Sequence, residues 1–330
     1  MRFRVERRER AGVEVVVLRD LAAQAVAEVV PALGDACVRF RVRVDGQPWP
    51  VLAEPPTDTA LLHETTHYGV PILYPWPNRM RGGRFTFGGR EYSLPPNSPG
   101  GHAIHGLVRE MRWEVEAAAT DESGAYVRSA VVVGGNGSDF PFESRLSVEH
   151  RLSGSALRII VEAVNTGPQP MPMGFGLHPW FGVPLGAAGS RGACKLQLQG
   201  NGVWELDELI PTGRMVPPSG QLDLRAWRPL GEAFFDYVFA NLELSEGWFE
   251  ARLRDPASGR QIAVRSDEQF REHVVYAPRD RDVVCLEPYT CATDAFNLEA
   301  RGIPAGMRVL EPGQHWRGEV EIVGARHAVP

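Results

Sequence analysis

The chain has 330 residues, enough to bury a substantial core, and its 43% apolar and 23% charged content is that of an ordinary globular protein, which excludes disordered and fibrous classes. A formal net charge of −6 argues against a broad basic surface for nucleic acid. The start, Met1-Arg2-Phe3-Arg4, lacks the apolar core of a signal peptide and no later run is long enough to span a bilayer, so a cytoplasmic protein with no membrane partner is expected.

In chain order, Val13 to Leu18 reads as a strand, and Leu21 to Val30 reads either as a short helix or as a strand ended by Pro31. Cys37 to Val44 alternates apolar residues with Arg39, Arg41 and Arg43, which predicts a strand with one face in the core and the arginines toward water. A short helix is expected near Asp58 to His67, with Asp58 able to cap it. That segment contains His63-Glu64-Thr65-Thr66-His67, which matches the H-E-x-x-H zinc pattern of metalloproteases. The pattern needs a helix that presents both imidazoles on one face and a third ligand downstream. Two β-branched threonines, Pro55-Pro56 before and Gly69-Val70-Pro71 after make this a poor host, so two surface or pocket-edge histidines and no stoichiometric zinc are the expectation.

The loop Pro71 to Gly83 places Asn78-Arg79 among prolines, glycines and aromatics, a setting in which donors for a polar ligand are often carried. Gly88-Gly89 predicts a tight hairpin, and Ile104-His105-Gly106 sets a histidine beside a glycine that permits close backbone approach. Tyr126 to Val133, Arg145 to Leu152 and Ala156 to Val164 read as strands, the last two joined at Ser153-Gly154-Ser155. Gly176-Leu177-His178-Pro179-Trp180-Phe181 has the look of a shaped pocket wall. Asp236 lies inside Phe234-Phe235-Asp236-Tyr237-Val238-Phe239, where an unpaired carboxylate is costly, so it needs a partner or a ligand. Trp248 to Leu253 and Gln261 to Val264 read as a further strand pair, and Glu287 closes the apolar run from Val283, poised as a base or paired structurally. Cys37, Cys194, Cys285 and Cys291 are too scattered for a disulfide framework or a zinc knuckle and are expected as buried thiols. Many turns between short strands, few helical periods and no linker predict an all-β, mainly antiparallel protein forming one large β-sandwich domain over residues 1–330.

In order and wording the chain resembles the aldose 1-epimerases, or mutarotases, of the galactose mutarotase-like superfamily. The resemblance runs from Ala27-Glu28-Val29-Val30-Pro31 through Asn78-Arg79-Met80, Ile104-His105-Gly106, Val164-Asn165-Thr166 and Leu177-His178-Pro179-Trp180-Phe181 to Leu286-Glu287-Pro288 and Thr293-Asp294-Ala295-Phe296-Asn297. It implies a β-sandwich with a sugar cleft on one sheet face, Glu287 as base and His178 as acid, and Arg79, His105 and Asp236 as hydroxyl contacts bordered by Asn78 and Trp180. It implies exchange of the α and β anomers of a free aldohexose by a monomer or homodimer, with neither metal nor redox cofactor. Gly-Leu-His-Pro-Trp-Phe departs from the Asn-His and Tyr-Phe of galactose-directed members, and Arg109 leans toward hexose 6-phosphate as substrate. A sugar-binding protein without activity, glycoside hydrolysis by Asp236 and Glu287, and the weak metalloprotease reading are the rivals.

Overall fold

A computed structural model describes residues 1–63 and 66–327. Its mainly antiparallel strands form a five-stranded N-terminal sheet, a nine-stranded sheet, an eight-stranded sheet and small two-stranded ribbons, and its α-helices are Asp58–His63 and Ala295–Ala300. The all-β expectation holds. One apolar cluster takes residues from all three large sheets, including Phe40, Val148, Ile159, Leu253, Phe239 and Leu286.

Period-2 alternation divides each sheet into two faces. In Ala36–Val44 it buries Phe40, Val42 and Val44 while Arg41 and Arg43 are exposed; a register shift opposite Glu28/Val29 lets Cys37 and Val38 both be buried. The ambiguous segment before Pro31 is the strand Ala25–Val30. Gly88 and Gly89 both have positive φ, 56° and 76°, as a tight hairpin between Arg84–Phe87 and Arg90–Ser93 requires. The helix Asp58–His63 is capped by Thr57, whose Oγ1 accepts from the Ala60 N–H at 3.1 Å, so Asp58 is the first helical residue and pairs with Arg10 instead. His63, the last helical residue described, is exposed; Glu64 and Thr65 of the H-E-x-x-H pattern lie outside the described residues.

Ser144–Ser153, Ala156–Asn165, His315–Arg326, Arg260–Asp267 and Trp248–Asp255 are consecutive in the nine-stranded sheet. They turn Leu146, Val148, Ile159, Val161, Ile322, Ile262 and Leu253 into the core. Their opposite face carries arginine and glutamate in alternation, with Arg128–Glu149 at 2.7 Å, Arg151–Glu149 at 2.9 Å, Arg158–Glu321 at 3.3 Å and Arg265–Glu250 at 2.5 Å. In the eight-stranded sheet, Phe235–Leu242, Glu272–Ala277 and Val283–Tyr289 are neighbours, and Val283–Tyr289 is buried on both faces. Val284 and Leu286 enter the main core; Cys285 and Glu287 share the other face, where Cys285 packs with Trp180 and Glu287 lines a cavity.

Candidate active site

The floor of that cavity is built by register. Asp236 pairs with Tyr276, Tyr276 with Cys285 and Cys285 with Trp180, a row crossing four strands, while Glu287 lies one step further along opposite Val274. His178 precedes the short strand Trp180–Gly182; its backbone N–H donates to Pro71 O at 3.0 Å, and its ring stacks on Trp180 with centroids 4.9 Å apart. The Trp180 Nε1–H donates to Thr66 O at 2.9 Å, which fixes the indole.

Two clasped loops build the wall. Arg79–Met80 pairs with Ala103–Ile104, and the His105 N–H donates to Asn78 O at 2.9 Å. Asn78 and His105 sit at φ 55° and 65°, a conformation that Asn and His tolerate better than most side chains. A Cβ at Gly106 would overlap the Tyr74 carbonyl oxygen, so only glycine fits beside His105. Asn78 Oδ1 accepts from Arg79 NH1 at 3.0 Å and from the Arg79 backbone N–H at 2.9 Å, and Asp294 N–H donates to Arg79 O at 2.9 Å. Arg79 is thereby held with its NH2 3.6 Å from Asp236 Oδ2.

All seven residues singled out in the sequence, Asn78, Arg79, His105, His178, Trp180, Asp236 and Glu287, line this one cavity of about 610 Å³. His178 Nε2 lies 3.4 Å from Glu287 Oε1, and the Tyr289 hydroxyl donates a short hydrogen bond to Glu287 Oε2. Burial pushes Glu287 well above the usual carboxylate range, and the nearby Asp236 adds to this against the opposing Tyr289 bond and Arg79 charge. Burial also pushes His178 down to about 3, reinforced by the positive charges of Arg109, His67 and Arg281. Although the atoms sit at ion-pair distance, both shifts run toward the neutral forms, the arrangement in which a protonated carboxyl faces a neutral imidazole with one proton between them. Burial also raises Asp236, opposed by Arg79, and lowers His105, helped by His178, Arg109 and Arg79. Among the described residues the Nδ1 atoms of His105 and His178 have no hydrogen-bond partner.

Several lining residues carry no mark in the sequence. Tyr276 stands edge-on to Trp180 at 5.9 Å, and Arg281 covers the Trp180 ring at 4.7 Å while donating to His67 O at 3.3 Å. Their signal is the pairing of distant strands, invisible locally. Tyr289 was legible, because it stands two residues from Glu287 on the same strand face. His67 of the H-E-x-x-H pattern lies at the cavity edge, 6.0 Å from Trp180, whereas exposed His63 is not among the lining residues. The four cysteines are free and buried, as expected.

A model of a family described as aldose 1-epimerase matches residues 9–323. The chain is 26% identical over 259 residues to the uncharacterized protein YihR of Escherichia coli (strain K12), covering 77% of this chain and 79% of that one. It is 30% identical over 196 residues to the galactose mutarotase of Mus musculus, 57% of this chain and 56% of the mouse protein. Among solved structures, a galactose mutarotase-like protein from Clostridium acetobutylicum superposes with a TM-score of 0.86 at 20% identity over 98% of both chains. Galactose 1-epimerase from Lactobacillus acidophilus gives 0.78 at 17% identity over 99% of both.

Proposed function

The chain belongs to the aldose 1-epimerase family, and on that premise we propose that it interconverts the α and β anomers of a free aldohexose as a single domain, with Glu287 and His178 moving the protons. The observation that carries this reading is the 3.4 Å approach of His178 Nε2 to Glu287 Oε1 on the floor of a cavity walled by hydroxyl-binding groups.

Anomer exchange needs the proton of the C1 hydroxyl removed and the ring oxygen protonated, so that the C1–O5 bond breaks and an open aldehyde forms. Rotation about C1–C2 and reclosure with the proton flow reversed give the other anomer. Glu287 as carboxylate takes the first proton and His178 as imidazolium gives the second, each worth about 10²–10⁴-fold when well placed. Passing the one shared proton from Glu287 to His178 creates both forms at once, without exchange with solvent. Arg79, and the Tyr289 hydroxyl bonded to Glu287 Oε2, favour the carboxylate so produced. Arg79, His105, Asp236 and Asn78 offer donors and acceptors for the hydroxyls, and Trp180 borders the ring.

A second reading, an aldose 6-phosphate as substrate, is favoured by Arg109. Its half-buried guanidinium lines the cavity without a hydrogen-bond or ion-pair partner among the described residues, and burial lowers its pKa. A phosphate there would offset the positive field that disfavours imidazolium at His178.

The test is anomer exchange, read by polarimetry or NMR, across freshly dissolved aldoses and aldose 6-phosphates. Acceleration for an unmodified hexose supports the first reading and acceleration confined to phosphates the second. Sugar binding with no exchange at all would sink both in favour of a binding protein, and cleavage of glycosides without exchange would favour hydrolysis.

A further inference from the structure

Cys285 takes no part in the proton chemistry above, yet it is fully buried directly beside the pair that does. A ring nitrogen of His178, Cys285 Sγ and a carboxylate oxygen of Glu287 all lie within 4.8 Å of one another. We propose that these three side chains form a binding site for a thiophilic divalent cation of the zinc class, which seizes the catalytic pair and arrests anomer exchange. The inhibition rests on the mutarotase reading; the binding site does not.

The donor set is thiolate, imidazole and carboxylate, which suits zinc and cadmium and disfavours magnesium or calcium. A tetrahedral zinc with bonds of about 2.0–2.3 Å sets its ligand atoms about 3.3–3.8 Å apart. The His178–Glu287 edge of the triangle is already 3.4 Å, so closing it needs side-chain movements on the order of 1 Å. The strand frame supports this: Cys285 and Glu287 share a face two residues apart, and His178, stacked on Trp180, sits over a strand that pairs with Cys285. Tyr289 holds Glu287 Oε2 and leaves Oε1 facing His178, the orienting role that outer-shell partners play around metals.

Charge also balances. As the ion binds, the Cys285 S–H bond breaks, the sulfur–metal bond forms, and the thiol proton and the proton held by the Glu287–His178 pair leave to solvent. One thiolate and one carboxylate then neutralise the dication, so the buried cluster carries no net charge. His178 and Glu287 line the cavity, which provides the entry path to the buried Cys285. The ion is proposed as an inhibitor that comes and goes rather than a cofactor. The proton chemistry above belongs to the metal-free protein.

The experiment uses the full chain stripped by chelator. Cobalt(II) alone should give an intense near-ultraviolet thiolate-to-cobalt band at one equivalent, and zinc should inhibit anomer exchange reversibly. Cys285→Ala should abolish the band and raise the zinc concentration for half-inhibition at least tenfold, while exchange without metal stays within about twofold of wild type; Cys285→Ser, checked by circular dichroism, replaces it should alanine not fold. No cobalt band in the wild type, or equal zinc inhibition in the variant, overturns the proposal, as does inhibition that disappears only when His63 and His67 are replaced. Because the cobalt band is read without sugar, a band with no anomer exchange would overturn the mutarotase reading and leave the metal site standing.

Discussion

The outer face of the nine-stranded sheet and the cavity face of the eight-stranded sheet both carry arginines and carboxylates, with opposite results. On the outer face three carboxylates each meet two arginines: Glu250 contacts Arg252 and Arg265, Glu321 contacts Arg158 and Arg265, and Glu149 contacts Arg128 and Arg151. Pairing there raises the Arg128 and Arg265 pKa values. In the cavity, burial outruns pairing, so Glu287 and Asp236 rise while His178 and His105 fall. The same residue types hold their charge partners on the outer face and are pushed toward their neutral forms in the cavity.

The largest expected break in that contrast is Glu287→Gln, which removes the proton acceptor but keeps the shape. Anomer exchange should fall about 10²–10⁴-fold with sugar binding retained, measured by polarimetry beside calorimetric titration. Full activity in this variant would remove Glu287 from the chemistry. Arg79→Ala, which deletes charged hydrogen bonds worth about 1.5–3 kcal/mol, should raise KM about 10–100-fold with a smaller change in kcat.

Tyr289→Phe sharpens the comparison through pH. The Tyr289 hydroxyl favours the carboxylate of Glu287, so its loss raises that group further. The one-proton pair gains a second proton only near pH 3, where His178 titrates, and loses its last proton above the usual carboxylate range. The acid limb should therefore lie near pH 3, and in Tyr289→Phe the alkaline limb should move upward with a peak rate roughly tenfold lower. An alkaline limb that stays in place would show that Tyr289 does not tune Glu287.

A fourth test addresses stability. Glu272 is buried, accepts a hydrogen bond from Trp204 Nε1 at 3.0 Å, and is pushed by burial from 4.5 up to about 8. The folded state holds this proton more tightly than the unfolded chain, so the contribution is complete below pH 4.5 and is lost as pH rises through about 8. Glu272→Gln keeps an acceptor for Trp204 and should flatten the fall in melting temperature between pH 5 and pH 9. The smallest effect is expected on the outer face, where Glu250→Gln should change stability by less than about 1 kcal/mol in chemical denaturation and leave anomer exchange unaltered.

Much of this could be read from the sequence where a local rule suffices. Alternation marked Ala36–Val44, the Gly88-Gly89 pair marked a hairpin, and a carboxylate inside Phe234 to Phe239 announced that Asp236 needed a partner, which Arg79 supplies. Register between strands tens of residues apart could not be read, so Tyr276, Arg281 and the nearness of Cys285 to His178 were missed. Helix capping was misjudged by one residue, because Thr57 and Asp58 are both good caps and only the backbone path decides between them.

The clasp between the Asn78-Arg79 loop and the Ile104-His105 loop has an evolutionary consequence. The two loops are bonded to each other, at Asn78 O to His105 N–H and through the Ile104–Arg79 pairing, whereas Glu287 and His178 stand on the sheet and its adjoining segment. On the proposed mechanism, part of the recognition is thus carried by the clasp, apart from the proton chemistry. If that mechanism holds, substitutions in the clasp would retune which hydroxyls are read while Glu287 and His178 stay in register, so that one scaffold could diversify across sugars without reinventing its chemistry.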